Sequence, residues 1–195
     1  MRKRIGSGCA VLLAVLFCLL LTACSGKAGG PFAGREAVDL SGYNGMKEYS
    51  GKVLMADTTV KEISELMKEK KSFVVYAGFT NCPYCNRLIP ELCEVIQEEK
   101  LWIGYLDTRK NPAWNSNIDI DDYDLFVELF GEYLTLDSSQ IKHLYVPVVI
   151  FIKDGETVEF RQGVVEGADN PSDPLTEEQL AQLKKELKEC LDKIK

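Results

Sequence analysis

The feature that most constrains this chain is Cys82-Pro83-Tyr84-Cys85, set between a buried-type strand and the start of a helix. Before it, Ser72–Phe79 reads Ser-Phe-Val-Val-Tyr-Ala-Gly-Phe, the near-continuous apolar run of a strand covered on both faces. After it, a helix over Cys82–Glu99 puts Leu88, Leu92, Val95 and Ile96 on one side. The first turn of a helix presents unpaired N–H groups and the positive end of the macrodipole, and both favour an anion. A thiolate at Cys82 is stabilised there, so its pKa falls and Cys82 is the candidate nucleophile. Cys85, one turn further in, is placed to attack a mixed disulfide and release the partner, which is thiol–disulfide exchange. The competing reading, half of a structural zinc site, needs a second set of ligands, and Cys93, Cys190 and His143 do not offer the spacing.

The rest of the pattern alternates strand and helix. Lys52–Met55 reads as a short strand, and Asp57 as the N-cap of a helix from about 58 to 70 with Val60, Ile63, Leu66 and Met67 inward. Leu101–Asp107 is the next strand. Asp122–Tyr133 is a helix within a long connection. Pro147–Ile152 and Thr157–Gln162 are strands joined through Lys153-Asp154-Gly155-Glu156, whose Asp-Gly signals a hairpin. Thr176 with Gln179 forms a capping box for a last helix with Leu180, Leu183, Leu187, Leu191 and Ile194 inward. The order β-α-β-α-β-α-β-β-α predicts an α/β domain over 52–195: a mixed central sheet flanked by helices, with a helical insertion at about 113–143 before the Pro147 strand.

The N-terminus reads as an address. Arg2-Lys3-Arg4 precedes an apolar run of 13 residues, Cys9–Leu21, which is short for a membrane span. Leu21-Thr22-Ala23-Cys24 then resembles the lipobox of bacterial lipoproteins. That reading makes 1–23 a signal peptide, Cys24 the lipidated N-terminus, and 24–51 a glycine-rich tether. An ordinary secretory signal or an uncleaved anchor is the competing reading. With Cys9 and Cys18 removed and Cys24 lipidated, Cys82, Cys85, Cys93 and Cys190 remain of seven cysteines, outside the cytoplasmic membrane where disulfides persist. Lys+Arg total 23 and Asp+Glu 30; without Arg2, Lys3 and Arg4 the body carries 20 against 30, a net charge of −10. Such a body repels a phosphate backbone, which argues against nucleic acid.

Several features together resemble the thioredoxin superfamily over roughly 52–195. Phe73–Ala77 leads into the Cys-x-x-Cys, and Pro90 follows Cys85 by five residues, as does the proline that kinks the thioredoxin active-site helix. Leu106-Asp107 then Asn111-Pro112 is similar to the segment after the third strand. Val146-Pro147-Val148-Val149-Ile150-Phe151 with the Lys153–Glu156 turn is similar to the cis-proline strand and hairpin. Within the superfamily the chain looks most like lipid-anchored thioredoxin-like proteins and bacteriocin-transport accessory proteins of Gram-positive bacteria. The resemblance implies a thioredoxin-like fold, no cofactor beyond the dithiol, and a cis Pro147 facing Cys82. Val146, Pro147, Pro83 and Tyr84 are then the candidate substrate-binding residues. Two positions depart from the family. Tyr76 stands where thioredoxins carry a buried proton-relaying aspartate, and Ile103 where a basic residue neighbours it, leaving water or Tyr76 for that task.

The function this implies is a membrane-anchored, extracytoplasmic oxidoreductase acting on protein thiols and disulfides, served by a membrane redox partner. The alternatives are a non-catalytic accessory or chaperone module in peptide export, and copper delivery, for which the cysteine spacing is one residue short. The acids over 117–122 with Glu128 resemble a calcium loop but lack its glycine, and acids gathered at a helix start are favoured. Trp102 is expected in the core. Trp114, Phe126 and Phe130 are expected to pack the insertion down rather than rim a groove, and His143 to lie in an exposed loop. Cys93 and Cys190, at similar depth on neighbouring helices, are expected nearer each other than either is to Cys82, as a bonded pair or as two inert buried thiols.

Overall fold

The structure, a computed structural model, describes residues 29–109 and 120–195; Cys24, Trp114 and the start of the acidic run lie outside them. Seven strands, four α-helices and two 3-10 turns occur among the described residues. In chain order the main ones are β1 (Met55–Asp57), α1 (Val60–Lys68), β2 (Phe73–Gly78), α2 (Pro83–Glu98), β3 (Ile103–Asp107) and α3 (Ile120–Phe130). A small hairpin of β4 (Thr135–Leu136) and β5 (Lys142–His143) follows, then β6 (Val148–Lys153), β7 (Glu156–Gln162) and α4 (Glu177–Asp192).

Five strands form one sheet in the order β1-β3-β2-β6-β7. The first three are parallel, β6 runs against them, and β7, antiparallel to β6, runs with them again. Alternation along β2 divides the core. Val74 and Tyr76 face α2 and α4, meeting Leu88, Leu92, Leu183 and Leu187. Phe73, Val75 and Ala77 face the other side, with Ile63, Phe126 and Phe130. Both faces are covered, which is why β2 and β6 read as unbroken apolar runs. The β6–β7 turn forms as its sequence demands, with Asp154 at φ 51° and Gly155 at φ 83°. The Thr176–Gln179 capping box opens α4.

Some expected boundaries move. β1 starts at Met55 rather than Lys52, and Thr59, not Asp57, caps α1 by accepting from the Glu62 N–H. Phe126 and Phe130 pack the insertion onto the sheet as expected, both fully buried. Trp102 is only half-buried, under the Lys52 ammonium. His143 lies in β5, its Nε2 2.8 Å from Asp137 Oδ2.

The main correction concerns the tether expected over 24–51. From residue 29 onward this segment is part of the domain. Phe32 is fully buried on one side of the sheet, and Leu40, Tyr43 and Met46 are buried on the other. Trp102 N donates to Gly29 O at 3.0 Å, and Val38 N to Met55 O at 2.9 Å, so the segment covers the β1 edge. The glycines that suggested flexibility instead make turns: Gly29, Gly30 and Gly34 have φ of 116°, 78° and 79°. Phe32 packs so closely on β3 that a Cβ at Gly104 would lie 2.8 Å from its ring.

Candidate active site

Cys82 is the N-cap of α2, with extended backbone (φ −81°, ψ 120°), and Pro83 takes the first helical position, where a missing N–H costs nothing. The Cys82 sulfur serves as the cap acceptor and receives the Cys85 N–H at 3.2 Å. Asn86, on the same helical face one turn on, fixes the approach to the helix: its Nδ2 donates to Thr80 O at 2.8 Å and to Cys82 O at 2.9 Å. Pro90 lies inside α2 and has no N–H for the Asn86 carbonyl. Gly45 packs against that carbonyl so closely that a Cβ there would come within 2.3 Å. The helix around Pro90 and the N-terminal segment are thus fitted together close behind the dithiol.

The Val146–Pro147 bond is cis. The Cys82 thiol lies 3.7 Å from the Val146 carbonyl, so the expected pairing of Cys82 with the Pro147 segment is present. Val146 precedes the β6 ladder, which begins at Val148, and Gly163 N donates to Pro147 O at 2.8 Å. Pro83 is exposed beside Cys82. The Tyr84 hydroxyl donates to Asp169 O, and Arg87 Nη1 donates to Ala168 O at 2.9 Å. An open cleft of about 600 Å³ lies there, with Tyr84, Arg161, Val165 and Asp169 in its lining.

The two thiols are free and chemically unequal. Cys82 is brought down to about 7, chiefly by the hydrogen bond from Cys85; burial opposes this, and the Cys85 and Tyr84 N–H groups and the Arg109 charge assist. Cys85 is fully buried, and burial together with the neighbouring Cys82 pushes it well up. This is the asymmetry expected of a nucleophile and a resolving thiol. Cys93 and Cys190 are both free and buried, in the core between the sheet and α2 and α4. Burial raises both, Cys93 to about 12.

Four contributors escaped the sequence reading. Arg109 is exposed with its guanidinium 3.9 Å from the Phe79 ring centroid, and it follows the already noted Asp107 by two residues. Asn86 sits at i+4 from Cys82, a spacing that could have flagged it. Tyr43 and Tyr105 carried no local signal.

Three parallel strands extended by an antiparallel β6–β7 hairpin, with a cis-proline opening β6 and a Cys-x-x-Cys at the start of the helix after β2, define the thioredoxin-like fold. No family model matches the chain. Among solved structures it is similar to a protein with a thioredoxin fold at 18% identity and a TM-score of 0.40, covering 67% of this chain and 94% of that one. It is also similar to thioredoxin from Aeropyrum pernix at 16% identity and a TM-score of 0.39, covering 68% and 83%. A poplar thioredoxin h mutant matches at 17% identity and a TM-score of 0.39, covering 86% and 97%.

Proposed function

We propose that this chain is a membrane-anchored, extracytoplasmic thiol–disulfide oxidoreductase that acts on protein substrates through Cys82 and Cys85. The observation that carries the reading is the acidified thiol of Cys82 capping a helix beside cis-Pro147, with a buried, proton-retaining Cys85 one turn behind it. In the reductive direction the Cys82 thiolate attacks one sulfur of a client disulfide. A Cys82–client bond forms, and the other client sulfur leaves as a thiolate and takes a proton. Cys85 then attacks the Cys82 sulfur, closes the Cys82–Cys85 disulfide and frees the second client thiol. The reverse sequence oxidises a client dithiol. A membrane redox partner that resets the dithiol fixes the direction. Val146, just before Pro147, offers backbone to an extended client segment, and Pro147, Pro83 and Tyr84 flank it.

The test uses protein carrying Cys82→Ser or Cys85→Ser. Either change should lower turnover of a model peptide disulfide at least a hundredfold, and in cells should behave like loss of the gene. Serine variants that keep the cellular role would favour the accessory-module reading instead. Anchoring is tested separately: cells fed a labelled fatty acid should label the wild type, and Cys24→Ala should lose the label. An unlabelled wild type overturns the lipoprotein reading without touching the redox one.

A further inference from the structure

Cys85 must become a nucleophile at a site that disfavours its thiolate. It is fully buried, and its polar surroundings are the Cys82 sulfur, the Tyr76 hydroxyl and the Phe79 backbone. Tyr76 is itself completely buried, and its hydroxyl and the Cys85 sulfur share the space over the face of Gly78. That glycine is required: a Cβ there would lie 2.2 Å from the Tyr76 oxygen and 2.9 Å from the Cys85 sulfur. Behind Tyr76 stands Tyr43 at 3.4 Å, oxygen to oxygen, and behind Tyr43 stands Tyr105 at 2.8 Å. Three buried hydroxyls thus run from β3 to the resolving thiol.

Each hydroxyl arrives for a local reason. Tyr76 and Tyr105 are register partners on the parallel strands β2 and β3, so both point to the α2 side, and their rings stack at 5.6 Å. Tyr43 comes from the N-terminal segment, where Met46 N donates to its carbonyl at 3.0 Å as the 3-10 turn Asn44–Met46 begins.

We propose that Tyr76 is a further catalytic residue, whose hydroxyl donates a hydrogen bond to the Cys85 sulfur as that sulfur becomes the attacking thiolate, and that Tyr43 and Tyr105 are its positioning residues. The proposal rests on the redox reading above and extends it to the resolution step. There the Cys85 sulfur bonds to Cys82, the Cys82–client bond breaks, and the proton lost by Cys85 is matched by the one the client sulfur gains. No further oxidant or base enters. Tyr76 does not serve as a base, because burial, with Cys85 and Tyr43 beside it, makes its hydroxyl hold its proton far more tightly than an ordinary phenol does. It lowers the cost of charge on sulfur, as a donor to an anion does. Tyr43 and Tyr105 align that donor and keep its oxygen partnered, and a chain of hydroxyls polarises along its length. The group of α2 facing this chain is Cys85, itself beside Cys82, with Asp57 of β1 and Asp107 of β3 acting on Tyr105.

The test separates attack from resolution. Cys82 of the full chain is loaded with a chromogenic aromatic thiol as a mixed disulfide, and its release by Cys85 is followed from pH 6 to 10. Cys82 alkylation is measured in parallel. Tyr76→Phe keeps the ring and removes the hydroxyl. Release should slow about tenfold at pH 7, the range for a hydrogen bond to a charged group, and the release profile should move to higher pH. Cys82 alkylation should change less than about twofold. Tyr43→Phe should give the same pattern at smaller amplitude, and it covers the case in which Tyr76→Phe folds poorly. Release with an unchanged rate and pH profile in both variants overturns the proposal while leaving the redox reading intact. Equal slowing of alkylation and release overturns it too, because that marks a general disturbance of the site. A wild type that cannot release the thiol at all sinks the redox reading, and this proposal with it.

Discussion

Replacing Cys85 with alanine tests what acidifies Cys82. With the wild-type thiol at about 7, roughly half of Cys82 is thiolate at pH 7, against about 3% for an ordinary cysteine near 8.5. The largest cause is the hydrogen bond from the Cys85 side chain, which alanine removes; the N–H groups of Cys85 and Tyr84 stay. The midpoint of Cys82 should then rise by about one pH unit, a typical worth for one hydrogen bond to an anion. Two effects oppose each other in the rate. At pH 7 the thiolate share falls about fivefold, but the more basic thiolate is about threefold more nucleophilic, from a Brønsted slope of roughly 0.4–0.5. Iodoacetamide alkylation of Cys82 should therefore slow only about twofold at pH 7, yet reach a plateau about threefold higher near pH 10. The two pH–rate curves should cross. A single-pH assay would miss this, so the full profile, read by mass spectrometry of the Cys82 peptide, is the measurement. A wild-type midpoint near 8.5 would refute the helix-cap account. An unmoved midpoint in the variant would refute the Cys85 hydrogen bond as the main cause.

Cys85→Ala should accumulate mixed disulfides with client proteins, visible as reducible high-mass bands, whereas Cys82→Ala should give few; equal trapping would reverse or erase the assignment of nucleophile and resolver. Phe32→Ala should cost about 3–5 kcal/mol in urea unfolding, because a fully buried ring is lost from a segment that closes the β1 edge; a change under about 1 kcal/mol would mean that residues 29–46 are not part of the folded unit. The reduced protein should gain stability as pH rises from 6 to 8.5. Cys82 has its pKa lowered on folding, so its contribution is complete above the unfolded value near 8.5 and is lost as pH falls through about 7, a swing of at most about 2 kcal/mol. Above 8.5 the buried Cys85, Cys93 and Cys190, whose pKa values folding raises, act with the opposite sign, and Cys82→Ala should flatten only the lower limb.

The strand–helix alternation of the domain was legible because each element announces itself locally. The apolar run of β2, the Asp-Gly of the β6–β7 turn and the Thr176–Gln179 box each depend on residues within a few positions. The 29–51 segment was not legible for the opposite reason. Its buried residues Phe32, Leu40, Tyr43 and Met46 follow neither a 3.6 nor a 2 period, because they enter two different sides of the sheet from an irregular path. Glycine content then pointed to a flexible linker, whereas the positive φ angles at Gly29, Gly30 and Gly34 show glycine used for turns.

The site divides along the same line. Cys82, Cys85 and Pro147 could be marked because a helix start and a Val-Pro strand opening are short-range patterns. Tyr76 could be marked only as a departure, a phenol in place of a carboxylate. What that phenol does depends on Tyr43, 33 residues earlier, and Tyr105, 29 residues later, which only the sheet register and the covered edge bring together. The substitution also changes the chemistry available. A buried carboxylate can accept a proton, whereas a buried phenol near neutral pH keeps its own and can only donate a hydrogen bond. Tyr76, Gly78 and Tyr43 therefore form one solution: the phenol needs a longer reach than a carboxylate, the glycine opens the path to Cys85, and the N-terminal segment supplies the second hydroxyl that a buried phenol oxygen requires.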